Sequence, residues 1–203
     1  MGCLLISVKL AVLRPTQMAV GYDEVEVKRS KWRALTPDGK AHFLESHPFP
    51  AVTGPGEQYF MIDGHHMGLA LLREGVDAVS VRQVENLSKT TESEFFQVLQ
   101  QRGFVYLREP TRRGLRVLPR TLRDLADDPY RSFVAQLRRN CACPKDRTPF
   151  AEFRWADFLR SRLKADLLRT DHAGAVKTAH KLLRSGFCKF TCSGCRCLEQ
   201  AAL

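Results

Sequence analysis

Between residues 58 and 75 a short apolar run, Gln58-Tyr59-Phe60-Met61-Ile62, passes through Asp63-Gly64 directly into His65-His66 and a helix-spaced stripe. No other stretch constrains the fold as much. A continuous apolar run of this length, stopped by a turn residue, reads as a buried strand. Met67, Ala70 and Leu71 recur at helical spacing, with Leu72 beside them, and Gly75 supplies a stop. Val76 to Val84 then alternates as a half-buried strand does. A strand–helix–strand unit of this kind predicts an α/β fold and makes the two strands parallel neighbours.

The remaining punctuation extends this picture. Leu4 to Val27 is β-rich, with Leu4–Leu13 as a first strand, a break at Arg14-Pro15-Thr16-Gln17, and extended alternation at Val25-Glu26-Val27. Residues 28–56 are dense in turn chemistry: Pro37-Asp38-Gly39, His47-Pro48-Phe49-Pro50 and Gly54-Pro55-Gly56. Thr91-x-x-Glu94 is a capping box that opens a helix carrying Phe95, Val98 and Leu99, and Gly103 closes it before a short strand at Phe104–Leu107. Thr121-x-x-Asp124 starts a helical turn, and Asp128-Pro129 starts a helix to about residue 139. Two longer helices are predicted near 150–164 and 171–185. The expected organisation is a mixed α/β core over residues 1–108, a helical extension over 109–185 packed on it, and a cysteine-rich tail over 186–203.

Composition limits the classes of function. An apolar fraction of 44% with 27% charged residues suits a globular chain of 203 residues and argues against disorder. No apolar run is long enough to span a bilayer. The Met1–Leu13 stretch lacks the order of a signal peptide, and Ile6 stands where myristoylation needs Ser or Thr, so a cytoplasmic location is expected. The net charge of +10 is divided unequally. Residues 1–100 hold 10 Lys+Arg against 12 Asp+Glu, or −2, which leaves +12 for residues 101–203. A basic half suits a polyanion such as DNA, and equally suits arginine-rich helices with solvated faces. Arg112, Arg113, Arg116, Arg120 and Arg123 are its densest cluster. Seven cysteines, an odd number without a secretory signal, do not suggest a disulfide framework. Cys188, Cys192, Cys195 and Cys197, with help from Cys141 and Cys143, have the numbers for a zinc site but lack two separated knuckles, so reduced thiols on a tail are the simpler reading.

A strand that ends in Asp-Gly and opens into a helix is a device for holding an anion. The first helical amides lack internal partners, the macrodipole is positive there, and glycine lets a ligand approach the backbone. His65 and His66 bring imidazoles that can donate to phosphate, move a proton or ligate a metal. Asp63 can cap the helix, orient a histidine or hold a divalent ion.

Tyr59-x-x-Ile62-Asp63-Gly64-His65-His66-x-x-x-Ala70-Leu71 resembles the central motif of the ParB-like nuclease family, within the ParB/sulfiredoxin superfamily. Leu13-x-Pro15-Thr16-Gln17-x-x-Val20-Gly21 looks like its opening motif, and Pro50-Ala51-Val52-x-Gly54-Pro55-Gly56 like its pre-strand loop. Asp127-Asp128-Pro129-Tyr130-Arg131-Ser132 and Phe150-Ala151-Glu152-Phe153-x-Trp155-Ala156-Asp157-Phe158-Leu159-Arg160 look like its two helical signatures, so the resemblance spans residues 13 to about 185. It implies a compact ParB/sulfiredoxin-like fold whose Gly-His helix mouth binds phosphate or nucleotide. Sulfiredoxins carry a cysteine between the motif Gly and His; here that position is His65, so sulfinyl repair lacks its nucleophile. Partitioning proteins carry arginines at the mouth, where this chain has His66-Met67.

Three functional expectations follow. In the first, a nuclease or phosphoryl-transfer enzyme binds phosphate at Gly64 with Thr16, Gln17 and Lys28, while His65 or His66 serves as acid/base and Asp63 orients it or holds Mg2+ or Mn2+. Its substrate would be a nucleoside di- or triphosphate or a nucleic-acid backbone met by the basic half. In the second, the same mouth serves a non-catalytic nucleotide-binding switch or a DNA-binding partitioning-type module. In the third, the cysteine tail binds metal.

Overall fold

The computed structural model describes residues 5–107, 118–139 and 150–182. The chain divides into two units, residues 1–127 and 128–203.

The first unit is built on a five-stranded mixed sheet in the order β1-β6-β4-β5-β2. Its strands are β1 (Leu5–Lys9), β2 (Arg14–Pro15), β4 (Phe49–Gly54), β5 (Gln58–Met61) and β6 (Ala78–Asn86). A second pairing joins β3 (Ala19–Val20) to β7 (Ala126–Asp127), in parallel. The helices are α1 (Tyr22–Arg33), α2 (Pro37–Ser46), α3 (His65–Arg73) and α4 (Glu92–Gln101). Strand alternation divides the apolar side chains between two faces. Ala51, Met61, Val79 and Val81 pack with Val25, Trp32, Leu69, Leu71 and Leu72 of α1 and α3. Val52 and Phe60 pack on the other side with Phe95 and Leu99 of α4. Burying side chains of this size contributes roughly 1.5–3 kcal/mol each.

Several expectations are corrected here. The strand–helix–strand unit exists, but β5 and β6 are not neighbours. β4 lies between them, antiparallel to β5 and parallel to β6, so β5 and β6 run in opposite directions. The intervening strand is Phe49-Pro50-Ala51-Val52-Thr53-Gly54, whose Pro50 and Gly54 read as loop along the chain. Gly54 is required there, since a Cβ would stand 2.7 Å from Phe60 and 2.8 Å from Phe95. Pro37-Asp38-Gly39 is the first turn of α2, capped by Thr36, whose hydroxyl accepts from the Gly39 N–H. Val25-Glu26-Val27 belongs to α1, where Val25 and Trp32 are buried two turns apart, with acidic residues in the first turn and basic ones in the last. Leu4–Leu13 is not one strand: β1 ends at Lys9 and a 3-10 turn, Leu10–Val12, leads to β2. Phe104–Leu107 contributes a single bridge, between Tyr106 and Gln17.

The capping signals hold. Thr91 and Glu94 form both halves of the box that starts α4, and Thr121 and Asp124 do the same for the 3-10 turn Leu122–Asp124. Residues 118–127, expected with the helical extension, fall in the first unit.

The second unit holds α5 (Pro129–Arg139), α6 (Ala151–Arg160), α7 (Leu167–Thr170) and α8 (His172–Leu182). Its own core joins Phe133, Val134 and Leu137 to Trp155, Leu159 and Ala179. Asp128 accepts from the Tyr130 N–H at 3.1 Å, the cap expected before Pro129. Its other oxygen pairs with Arg160 at 2.5 Å. Among the described residues no helix is long and apolar enough to cross a membrane. All seven cysteines, with Arg112, Arg113 and Arg116, lie outside the described residues, as does the tail from residue 183.

Candidate functional site

The site forms where β5 stops. Phe60 and Met61 lie beside Arg14 and Pro15 in a parallel pairing, so the chain leaving β2 travels alongside the chain leaving β5. Thr16 continues that contact by donating its hydroxyl to the Met61 carbonyl at 2.8 Å. Beyond it, Gly64 turns the chain into α3 with φ +83°. That conformation alone favours glycine. Space demands it independently, because a Cβ would stand 2.8 Å from the ring of Phe49.

The two histidines face the 16–21 segment. The His65 Nε2 accepts from the main-chain N–H of Thr16 at 3.1 Å, and the His66 Nε2 accepts from that of Gly21 at 3.0 Å. A backbone N–H can only donate, so each accepting Nε2 carries no proton and each imidazole is neutral while its bond stands. The pair forms a clasp with one imidazole at each end of the segment. His65 is 4% exposed, so its bond to Thr16 lies inside the protein. Between the two ends, Gln17 is buried and donates its amide to the Ala19 carbonyl at 2.9 Å.

Gly21 also begins α1, which places two helix starts at one segment. At α1 the Tyr22 N–H donates to an Asp127 carboxylate oxygen at 2.8 Å, a cap delivered by β7 from far along the chain. At α3 the N-cap residue is Gly64, which brings no side chain to cap the first turn. Asp63 does not perform that service: it is exposed, and its Oδ1 accepts from the N–H of its neighbour Gly64 at 2.6 Å. The electropositive start of α3 is therefore edged by one exposed carboxylate and headed by a residue with no side chain of its own.

Thr16, Gln17, Asp63, Gly64, His65 and His66 are thus brought together, with Thr16 and Gln17 in the wall of the site. Lys28 is not part of the cluster. It lies seven residues along α1 from Gly21, about 10 Å at 1.5 Å per residue, and pairs with Glu24 at 3.5 Å. Sequence reasoning missed Phe49, Gly21 and Asp127. Gly21 was within the opening motif, but nothing local to Asp127 marks it as a cap for a helix more than 100 residues earlier. No group of three His, Cys, Asp or Glu side chains among the described residues is placed to hold a metal ion.

The comparisons with known proteins agree with this architecture. The sequence profile of the family described as "Putative ParB-like nuclease" matches residues 6–161. The crystal structure of protein Atu1540 from Agrobacterium tumefaciens is similar at a TM-score of 0.82 and 37% identity, over 93% of this chain and 96% of that one. No curated protein matches.

Proposed function

Because the chain belongs to the ParB-like nuclease family, over residues 6–161, we propose that it acts on phosphate esters of nucleic acid or nucleotides, with the phosphate seated at the start of α3. The carrying observation is the start of α3 itself: its N-cap is Gly64 in the left-handed conformation, which has no side chain to cap the first turn, and the neighbouring Asp63 spends its Oδ1 on the Gly64 N–H. A phosphate oxygen is the complement that a helix start of this kind accepts.

In this reading Gly64 admits the phosphate to the backbone, and Thr16 and Gln17 hold the wall of the seat. His65 and His66 keep the 16–21 segment fixed beside it through their Nε2 atoms, so they serve first as positioning residues. Asp63 is the exposed carboxylate at the rim, the group suited to receive a proton from an attacking water or to share a divalent cation with substrate. One carboxylate fits Mg2+ or Mn2+ held jointly with phosphate oxygens and does not fit a resident, fully protein-ligated ion. Such an ion would supply charge neutralisation on the phosphate.

A second reading is a nucleotide-binding switch without turnover. It is favoured by the same clasp, since both Nε2 atoms are already occupied as acceptors.

The test is a thermal-shift series on the full chain against phosphate, nucleoside di- and triphosphates and short DNA, with and without Mg2+ or Mn2+, followed by product analysis of any ligand that binds. A ligand at 100 times its Kd stabilises by about 2.7 kcal/mol. A shift with turnover supports the first reading, and a shift without turnover supports the second. No shift with any phosphate compound overturns both.

A further inference from the structure

A second cavity region lies in the first unit, beside Phe60, lined by none of the residues gathered at the start of α3. The larger part, about 580 Å³, is lined by Arg14, Gln58, Glu92, Arg120 and Thr121. That volume is within the range of small-ligand sites, about 300–1,000 Å³. The smaller part, about 270 Å³, shares Arg14, Gln58 and Glu92 and adds the apolar walls of Pro55 and Phe96.

The polar groups of this groove are in an unusual state for a protein surface. Arg14 has its guanidinium 5.1 Å from the Phe60 ring centroid, and its Nη1 donates to Gln58 Oε1 at 2.5 Å. Its Nε is closed off from solvent and has no hydrogen-bond partner among the described residues. Stacking and hydrogen bonding therefore hold a planar cation ready at the groove wall. Arg120 is also in the lining, next to Thr121, whose capping box with Asp124 fixes the turn. Among the described residues, neither Arg120 nor Glu92 is in an ion pair. Two guanidinium groups and one carboxylate thus border a cavity with an apolar end.

We propose that this groove binds one nucleotide unit, its phosphate between Arg14 and Arg120 and its base against Pro55 and Phe96, with Glu92 accepting a hydrogen bond from an exocyclic amine. Arginine pairs with phosphate through its fork of donors, and a flat apolar wall suits the face of a base. An ionised carboxylate only accepts, so Glu92 favours a base with an exocyclic amine, adenine, cytosine or guanine; thymine and uracil offer it only the ring N3–H. The unit comes either from a free nucleotide or from a single strand. The choice of ligand class rests on the proposed function, while the residues are separate from those at the start of α3.

The experiment is fluorescence anisotropy on the full chain with labelled ten-residue oligo-dC and oligo-dT, with free CMP as competitor, in wild type, Arg120→Ala and Glu92→Ala. Oligo-dC is expected to bind at least about fivefold tighter than oligo-dT, as one base-specific contact allows. Arg120→Ala should weaken oligo-dC binding and lower its salt slope by about one. Glu92→Ala should remove the preference for cytosine. Competition by CMP identifies the free nucleotide as sufficient; binding that CMP does not displace identifies the strand. Equal binding of the two oligonucleotides, an unchanged Arg120→Ala variant, or no binding of any of them overturns the proposal. Inorganic phosphate is titrated in parallel into wild type and Arg120→Ala: phosphate binding to both, together with oligo-dC binding that Arg120→Ala leaves unchanged, sinks this inference alone.

Discussion

His66 accepts the main-chain N–H of Gly21 through Nε2 at 3.0 Å, so a side chain from the first turn of α3 holds the residue that starts α1. His65 does the same for Thr16. The two imidazoles are therefore part of what keeps the site assembled, and their removal has a cost that catalysis alone does not explain.

We expect His65→Ala to destabilise the chain by about 2–4 kcal/mol, since it opens a buried space and orphans the Thr16 N–H. His66→Ala, at a partly buried position, should cost about 1–2 kcal/mol. Urea denaturation of both variants measures this. Unchanged midpoints would mean that the clasp contributes nothing and that the histidines are reserved for chemistry.

Gly64→Ala meets two penalties, a left-handed backbone at φ +83° and a Cβ 2.8 Å from Phe49. Together they should amount to about 2–4 kcal/mol. In the Phe49→Leu background the steric part should shrink while the backbone part persists, so a double-mutant cycle should show coupling. Strict additivity would contradict the close approach to Phe49.

Asp63→Asn separates binding from turnover by sign. Removing a negative charge from the rim should tighten phosphate binding severalfold, because Coulomb repulsion at the seat falls. The same change should lower any hydrolytic rate by at least about a hundredfold if the carboxylate takes the proton. Calorimetric titration with inorganic phosphate and a cleavage assay read the two effects. Weaker phosphate binding by the variant would place the anion elsewhere.

Glu74 offers a pH test outside the site. Arg33 donates to both of its oxygens, at 2.8 and 2.6 Å, and Arg29 adds a bond at 2.7 Å. The hydrogen bonds from Arg33, with the one from Arg29, outweigh burial and hold the carboxyl down at about 2, against an ordinary 4.5. A depressed carboxyl stabilises the fold above its unfolded value and loses that contribution as pH falls from 4.5 through about 2. Denaturation midpoints of wild type and Glu74→Gln should therefore differ at neutral pH and converge across that interval. A difference that stays constant down to pH 2 would mean the network does not favour the ionised form.

What could be read along the chain was what neighbours along the chain decide. The Thr91–Glu94 and Thr121–Asp124 boxes, the Asp128-Pro129 helix start, and the entry of β5 through Asp63-Gly64 into α3 each depend on contacts within a few residues. Their chemistry is local, and residue spacing carries it. Tertiary structure decided the rest. Phe49–Gly54 has the proline and glycine of a loop, yet it is the central strand, because β5 and β6 supply ladders on both sides and Phe60 and Phe95 leave no room for a side chain at Gly54. Val25-Glu26-Val27 alternates like a strand but is helical, because Val25 and Trp32 bury together only at helical spacing. The histidine pair was visible in the sequence; its partners were not, since Thr16 and Gly21 lie 49 and 45 residues away and offer only main-chain N–H groups, which every residue but proline carries.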